Sequence, residues 1–299
     1  MRGNSVYKVK IFLQWIRYRE LLLLTSPGLM GLALGKYSLF DALKAGKIND
    51  IIIFIVSLCL GGAHVFLFNL WAGIKLNPID AVSIDYPLKQ EEINTNAIFT
   101  ISIILLILSL IFNLYLNKKL FIVSIIMAIL WILYAYPKGL FLKSSYAGAL
   151  LVHYINGNLH FLIGLLLFNN LTLEAILIAH FFSFIFLAGY FHHILKDRES
   201  DKQMKIKTLA NVFNPRKIFM VGNIFFLISY LYNGFLVIIK LFPLIFFVYN
   251  SFIIILLLFY FVKVIRSDLS KQIVIRYRTY YRFLYSILGL LFVLFIYYK

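Results

Sequence analysis

The chain has 299 residues, 62% of them hydrophobic and only 14% charged, with a mean hydropathy of +0.90. That composition excludes a water-soluble globular domain. The net charge of +17 is spread over the flanks of apolar segments, so a nucleic-acid partner is not expected and the lipid bilayer is. The single cysteine, Cys59, falls within an apolar stretch, which leaves neither a disulfide framework nor a cysteine metal site.

In chain order, nine stretches approach the roughly 20 apolar residues that a spanning helix needs: about 19–35, 50–72, 96–116, 119–137, 146–168, 172–195, 217–237, 241–264 and 281–298. The first follows Arg2, Lys8, Lys10, Arg17 and Arg19 but has no small-residue cleavage site after it, so it is expected to be retained as a span. The second ends in a polar stretch, His64 to Asn69, and leads into a long connection, about 73–95, that carries Asp80, Asp85, Glu91 and Glu92. The sixth ends in His192 and His193 and leads into another, about 196–216, that carries Asp197, Glu199 and Asp201. Connections this long in a compact bundle are functional or disordered. Tyr297 and Tyr298 at the end of the ninth stretch form an interfacial anchor. The expected architecture is all-α: a polytopic bundle of nine transmembrane helices in one integral membrane domain over 1–299.

With the N-terminus inside, all of the 29 Lys and Arg fall on inside segments except Lys36, Lys44, Lys47, Lys118, Lys119, Lys240 and Lys299. The excess of inside positive charge predicts an N-in, C-out topology, which puts both acidic connections on the cytoplasmic face. Lys-, Ile-, Asn- and Phe-rich usage fits an AT-rich microbial genome, hence a microbial cytoplasmic membrane.

Asp197 and Asp201 stand at i and i+4, which puts both carboxylates on one face of a helix end. Hard oxygen ligands in that arrangement suit Mg²⁺, which takes one or two carboxylates plus phosphate oxygens from a substrate. The competing reading is a solvated charge cluster from Lys196 to Lys207 that only anchors the span. His64, His153, Asn156, Asn158, His160 and His180 are polar residues at span positions, expensive in lipid unless buried and paired. His153, Asn156 and His160 share one face of the fifth span. They are candidates to line an acceptor pocket, or to bond helix to helix. The histidines have no carboxylate or cysteine at ligand spacing, so no zinc site is expected.

Asp197-x-x-x-Asp201 followed by Lys207-Thr208-Leu209 resembles the second aspartate motif of the UbiA-type intramembrane prenyltransferase superfamily. Tyr134-Ala135-Tyr136-Pro137 followed by Lys143 is similar to that family's segment after the fourth span. Where the family carries a first aspartate motif, this chain has Asn69, Leu70, Gly73 and Asn77, so Asn69 is kept and Asn77 and Asp80 are the nearest further oxygen ligands. The resemblance implies Mg²⁺-assisted departure of diphosphate from an isoprenoid diphosphate and transfer of the prenyl group to an aromatic, quinone-precursor or other lipid acceptor. It implies Asp197, Asp201, Asn69, Asn77 and Asp80 on the metal side. Tyr136, Lys143, Arg198, Lys202 and Lys207 join them on the substrate side, with His153 and Asn156 in the pocket. Three alternatives stay open: a terpene cyclase or lipid-phosphate phosphoribosyl transferase on the same fold, a non-catalytic lipid-binding homologue, and a transporter. The last is the weakest, because the acidic groups gather at one face and no broken-helix pair lies at the midplane.

Overall fold

Backbone polar groups in hydrocarbon must be satisfied within their own segment, and helices do this for a single run of chain. The computed structural model describes residues 11–34, 44–76, 94–137 and 139–297, and among them every regular element is a helix. The α-helices are α1 Tyr18–Ala33, α2 Ile48–Leu76, α3 Thr95–Leu116, α4 Lys118–Ala135, α5 Tyr146–Leu165 and α6 Leu173–Lys196. They continue as α7 Arg198–Gln203, α8 Leu209–Val212, α9 Pro215–Ile238, α10 Leu244–Ile265 and α11 Lys271–Tyr297, with a 3₁₀ turn at Leu142–Ser144. Each predicted stretch falls on one of these helices. Six of them, α2, α3, α4, α6, α9 and α10, are long and apolar enough to cross a membrane.

Three predicted boundaries change. Helix α2 continues to Leu76, four residues past the predicted end of the second stretch, so Gly73 is helical as Asn69 is. The connection after the sixth span is not irregular but folds into α7 and α8. Helix α11 begins ten residues before the predicted 281, because Arg276, Arg278 and Arg282 lower the local hydropathy while Val274, Tyr277, Tyr281, Leu284 and Leu288 form a continuous buried stripe at helical spacing.

Local chemistry starts the helices. Asn117 ends α3 and begins α4, its Oδ1 accepting from the amides of Lys119 and Leu120. Ser145 and Thr172 cap α5 and α6 by accepting from Gly148 N and Ala175 N. Asn214 caps α9, with Pro215 in the first turn.

The chain divides into two compact units, one of Met1–Thr25 and Ala45–Leu142, the other of Ser26–Lys44 and Lys143–Lys299. In the first unit, buried hydroxyl and amide groups join α2, α3 and α4. Ser57 Oγ meets Asn113 Oδ1 at 2.8 Å, Asn113 Nδ2 donates to Ser124 Oγ at 2.7 Å, and Ser109 Oγ donates to Ser57 O at 2.8 Å. His64 Nδ1 lies 2.9 Å from Ser102 Oγ. Polar residues that are costly in lipid thus join helix to helix.

In the second unit small residues bring backbones together. A Cβ on Gly164 would lie 1.6 Å from Gly28 O, and one on Gly31 would lie 2.0 Å from Phe161 O, so α1 and α5 cross at van der Waals contact of their main chains. Helices α6, α9 and α11 meet around His192. Its Nδ1 can only donate to Ala188 O (2.7 Å), which makes Nε2 the acceptor of Asn223 Nδ2 (3.2 Å), and Tyr277 OH donates to Asn223 Oδ1. The chain of bonds has one direction and fixes a neutral ring. Gly222 leaves room for that ring, whose Cε1 lies 2.4 Å from where its Cβ would be.

Overpacking at a backbone crossing costs about 1–3 kcal/mol or more, whereas Gly to Ala in open helix is neutral or favourable. Gly164→Ala is therefore expected to lower the melting temperature in detergent. Gly189→Ala, whose new methyl meets only Tyr281 OH at 3.7 Å, is expected to leave it unchanged or raise it. Equal shifts in thermal melts of the two variants would contradict the close crossing of α1 and α5.

Candidate active site at the end of helix α6

Helix α6 ends at Lys196 with Asp197 as its C-cap, which is also the residue before α7, and the turn is carried on by Asp201 N donating to Asp197 O at 2.8 Å. The chain then reverses. Lys205 takes a left-handed conformation, φ 54°, and Ile206 N returns to Asp201 O at 2.9 Å. Arg198 Nε donates to Ala210 O (3.1 Å) and Asn211 Nδ2 to Ile206 O (2.9 Å), which draws the Lys207-Thr208-Leu209 segment back against α7. The i and i+4 spacing and the Lys-Thr-Leu motif are therefore parts of one small folded body.

The two carboxylates have different surroundings. Asp201 is 1% exposed, and its Oδ1 receives Lys143 Nζ at 2.6 Å from the 3₁₀ turn before α5. Its Oδ2 is buried with no hydrogen-bond partner. Asp197 is half-buried, with Lys196 Nζ 3.0 Å from Oδ1 and His193 Nδ1 3.3 Å from Oδ2. Burial raises the pKa of the Asp201 carboxyl above its ordinary value. Lys143 opposes that rise, Asp197 adds to it, and Lys196 opposes it weakly.

Of the residues expected on the substrate side, Lys143 is brought to Asp201, while Lys202 and Lys207 are exposed beside it in sequence. Arg198 is engaged with Ala210 and Glu199. His153 and Asn156 are buried in α5, bonded to the carbonyls of Ala149 and Val152 in their own helix, and His153 lies 4.4 Å from the Tyr190 ring of α6. Bonds between α5 and α6 include Asn158 to Ser183, Ser183 to Tyr154 O and Tyr154 to His180. In the other unit Asn69 is half-buried on α2, its Nδ2 donating to Val65 O, and Tyr136 stacks on Trp71 with ring centroids 6.1 Å apart. Asn77 and Asp80 lie outside the described residues.

Sequence reasoning passed over Lys196 and His193 as site residues. The signal was present, since His193 stands four residues before Asp197 and Lys196 directly precedes it. It also passed over Thr208, whose Oγ1 is buried without a partner. No group of three or more His, Cys, Asp or Glu side chains that could hold a metal occurs among the described residues. A set of two carboxylates, one with an orphaned buried oxygen, suits a hard divalent cation that completes its shell from phosphate oxygens and water.

Removing Lys143 strips Asp201 of its nearest cation without exposing it. Lys143→Met is expected to shift Asp201 protonation to higher pH, read as a protonated-carboxyl infrared band at neutral pH that an added Asp201→Asn change abolishes. A spectrum unchanged by Lys143→Met would mean that this ion pair does not set the charge of Asp201.

The sequence profile of the UbiA prenyltransferase family matches residues 24–296. Three solved structures share the fold at 18% identity, each covering 96% of this chain and 98% of its own. Two are of a UbiA homolog from Archaeoglobus fulgidus, one bound to DMAPP and Mg²⁺ (TM-score 0.72) and one to GPP and Mg²⁺ (0.70). The third concerns digeranylgeranylglyceryl phosphate synthase in membranes (0.67). No curated protein matches by sequence. With a profile match over nearly its whole length and the same helical fold, this chain belongs to the UbiA prenyltransferase family.

Proposed function

We propose that this chain is a Mg²⁺-dependent intramembrane prenyltransferase that ionises an isoprenoid diphosphate and passes the prenyl group to an aromatic, quinone-precursor or other lipid acceptor. The observation that carries this reading is the Asp201 carboxylate, almost fully buried, tied to Lys143 and left with one oxygen unpartnered directly after a membrane helix. A burial so costly, in a chain with 12 acidic residues, favours a ligand over a solvated anchor.

In this reading Asp197 and Asp201 hold the ion, and Asn69, Asn77 and Asp80 are the first-motif ligands that the resemblance implies. Bound Mg²⁺ supplies positive charge to the leaving diphosphate. Lys143 favours the charged form of Asp201 against the effect of burial and offers a hydrogen-bond donor to a phosphate oxygen, while Lys202 and Lys207 are exposed cations for the remaining charge. Arg198 contributes by bracing the segment that carries Lys207, and Tyr136 by its place after the fourth span. The allylic C–O bond breaks with its electron pair leaving on the diphosphate oxygen. The acceptor nucleophile then bonds to the cation and loses a proton. His153 and Asn156, buried polar groups of α5 beside the Tyr190 ring, are the candidates to line the acceptor pocket.

The test is diphosphate release by purified protein from a panel of prenyl diphosphates, with Mg²⁺ or with EDTA. Release is expected only with metal, and Asp197→Asn/Asp201→Asn is expected to reduce it by about a hundredfold or more, the scale on which loss of charge stabilisation acts. Metal-dependent release with a cyclic product and no acceptor adduct would identify a terpene cyclase. No release from any prenyl diphosphate would sink the reading in favour of a phosphoribosyl donor or a lipid-binding homologue, which the Leu70, Gly73 and Asn77 departures favour.

The same proposal includes an integral protein of a microbial cytoplasmic membrane, N-terminus inside and C-terminus outside, with the site facing the cytoplasm. In a Cys59→Ala background, a cysteine at Lys202 is expected to resist an impermeant thiol reagent added outside to intact cells, and one at Lys119 to react. The reverse pattern would invert the topology.

A further inference from the structure

Helices α10 and α11 are antiparallel neighbours joined by a short turn, and between them runs an open groove of about 850 Å³. Lys263 lies in the last turn of α10 and Arg276 in the second turn of α11, so the two cations line the same end of the groove. Farther along, the walls become aromatic. Phe259, one turn in from Lys263, is 74% exposed, and Phe283, two turns in from Arg276, is 61% exposed. The rings of Tyr260 and Tyr280 meet edge to face at 4.8 Å between the two helices.

The charge of this groove is one-sided. The stretch 244–297 contains a single carboxylate, Asp268, and it is exposed in the turn with its Oδ1 accepting from Ser270 N. Among the described residues neither Lys263 nor Arg276 forms an ion pair. Ordinary flanking cations extend from a helix end into water. These two instead share a concave surface whose other end is apolar, which is the pattern of an amphiphile with an anionic head.

We propose that the α10–α11 groove binds an anionic phospholipid of the surrounding bilayer, its phosphate held by Lys263 and Arg276 and an acyl chain lying along Phe259 and Phe283. Guanidinium and ammonium groups together match a phosphodiester, and the aromatic walls take the chain. This site is separate from the carboxylates at the end of α6 and does not depend on the reaction proposed there.

The test uses the full chain in phosphatidylcholine nanodiscs doped with spin-labelled phosphatidylglycerol or spin-labelled phosphatidylcholine, reading the motionally restricted fraction of label. Phosphatidylglycerol is expected to be retained preferentially, and Lys263→Gln/Arg276→Gln to reduce that preference about tenfold or more, each cation near the membrane surface being worth a severalfold factor. Thr279→Trp, which fills the groove and leaves both charges, is expected to abolish the preference. Lys263→Arg/Arg276→Lys should retain it, with unchanged melting behaviour as the control for folding. Preference surviving Thr279→Trp would reduce the two cations to a diffuse surface charge and overturn the proposal. So would an unaltered preference in the double Gln variant, or displacement of the lipid by excess inorganic phosphate.

Discussion

A carboxylate held out of water costs several kcal/mol unless a cation meets it, and removing the partner of such a pair costs about 3–5 kcal/mol. Asp201 and Lys143, 2.6 Å apart, are such a pair, and the geometry around the end of α6 is arranged about them. For Asp201 to reach Lys143, α6 must carry on through Asp197 into α7, and the chain must then turn back at Lys205. That reversal brings Ile206 to Asp201 and lets Arg198 bind Ala210. The aspartate pair and the Lys-Thr-Leu segment are thus coupled through the backbone, so neither can move without the other.

Precision at that end depends on rigidity in the helix that leads to it. Helix α6 is fixed along its length by contacts that tolerate little displacement. Gly157 of α5 lets the backbone at Ser183 approach within 2.6 Å of where a Cβ would stand, and Gly222 of α9 admits the His192 ring. The bond chain from Tyr277 through Asn223 to His192 and Ala188 then locks α6 to α9 and α11 one turn before the aspartates. In lipid there is little hydrophobic gain from helix association, so close backbone packing and directed polar bonds supply the specificity.

Periodicity and hydropathy reveal helices well, which is why the nine stretches fall on helices of the structure. They fail where polarity and burial part company. Helix α11 was predicted short because its arginines lower the average, although every third or fourth residue is buried. The aspartate spacing, the Lys-Thr-Leu motif and Lys143 were legible one by one, but not the ion pair between positions 143 and 201, because tertiary contact across such a separation leaves no trace in spacing. The burial of Thr208 and of the Lys196 side chain was hidden for a different reason, although the place of Lys196 beside Asp197 was plain. The same residue types in the same charged run would look identical if solvated.

The sequence and the site agree on economy of charge. The chain keeps Asp197 and Asp201 and has Leu70 and Gly73 where the resemblance would put aspartates of a first motif, so fewer carboxylates are left to hold the proposed ion. In the proposed reaction a diphosphate carries more negative charge than one divalent ion neutralises, so the balance would come from fixed cations. Lys143 and Lys196 already contact the carboxylates, and Lys202 and Lys207 stand exposed on the same folded segment. The proposed site would exchange ion coordination for lysine charge. Unlike a metal shell, lysine charge is screened by salt where it is exposed, so donor binding here should be more sensitive to ionic strength than in a relative with both aspartate motifs intact.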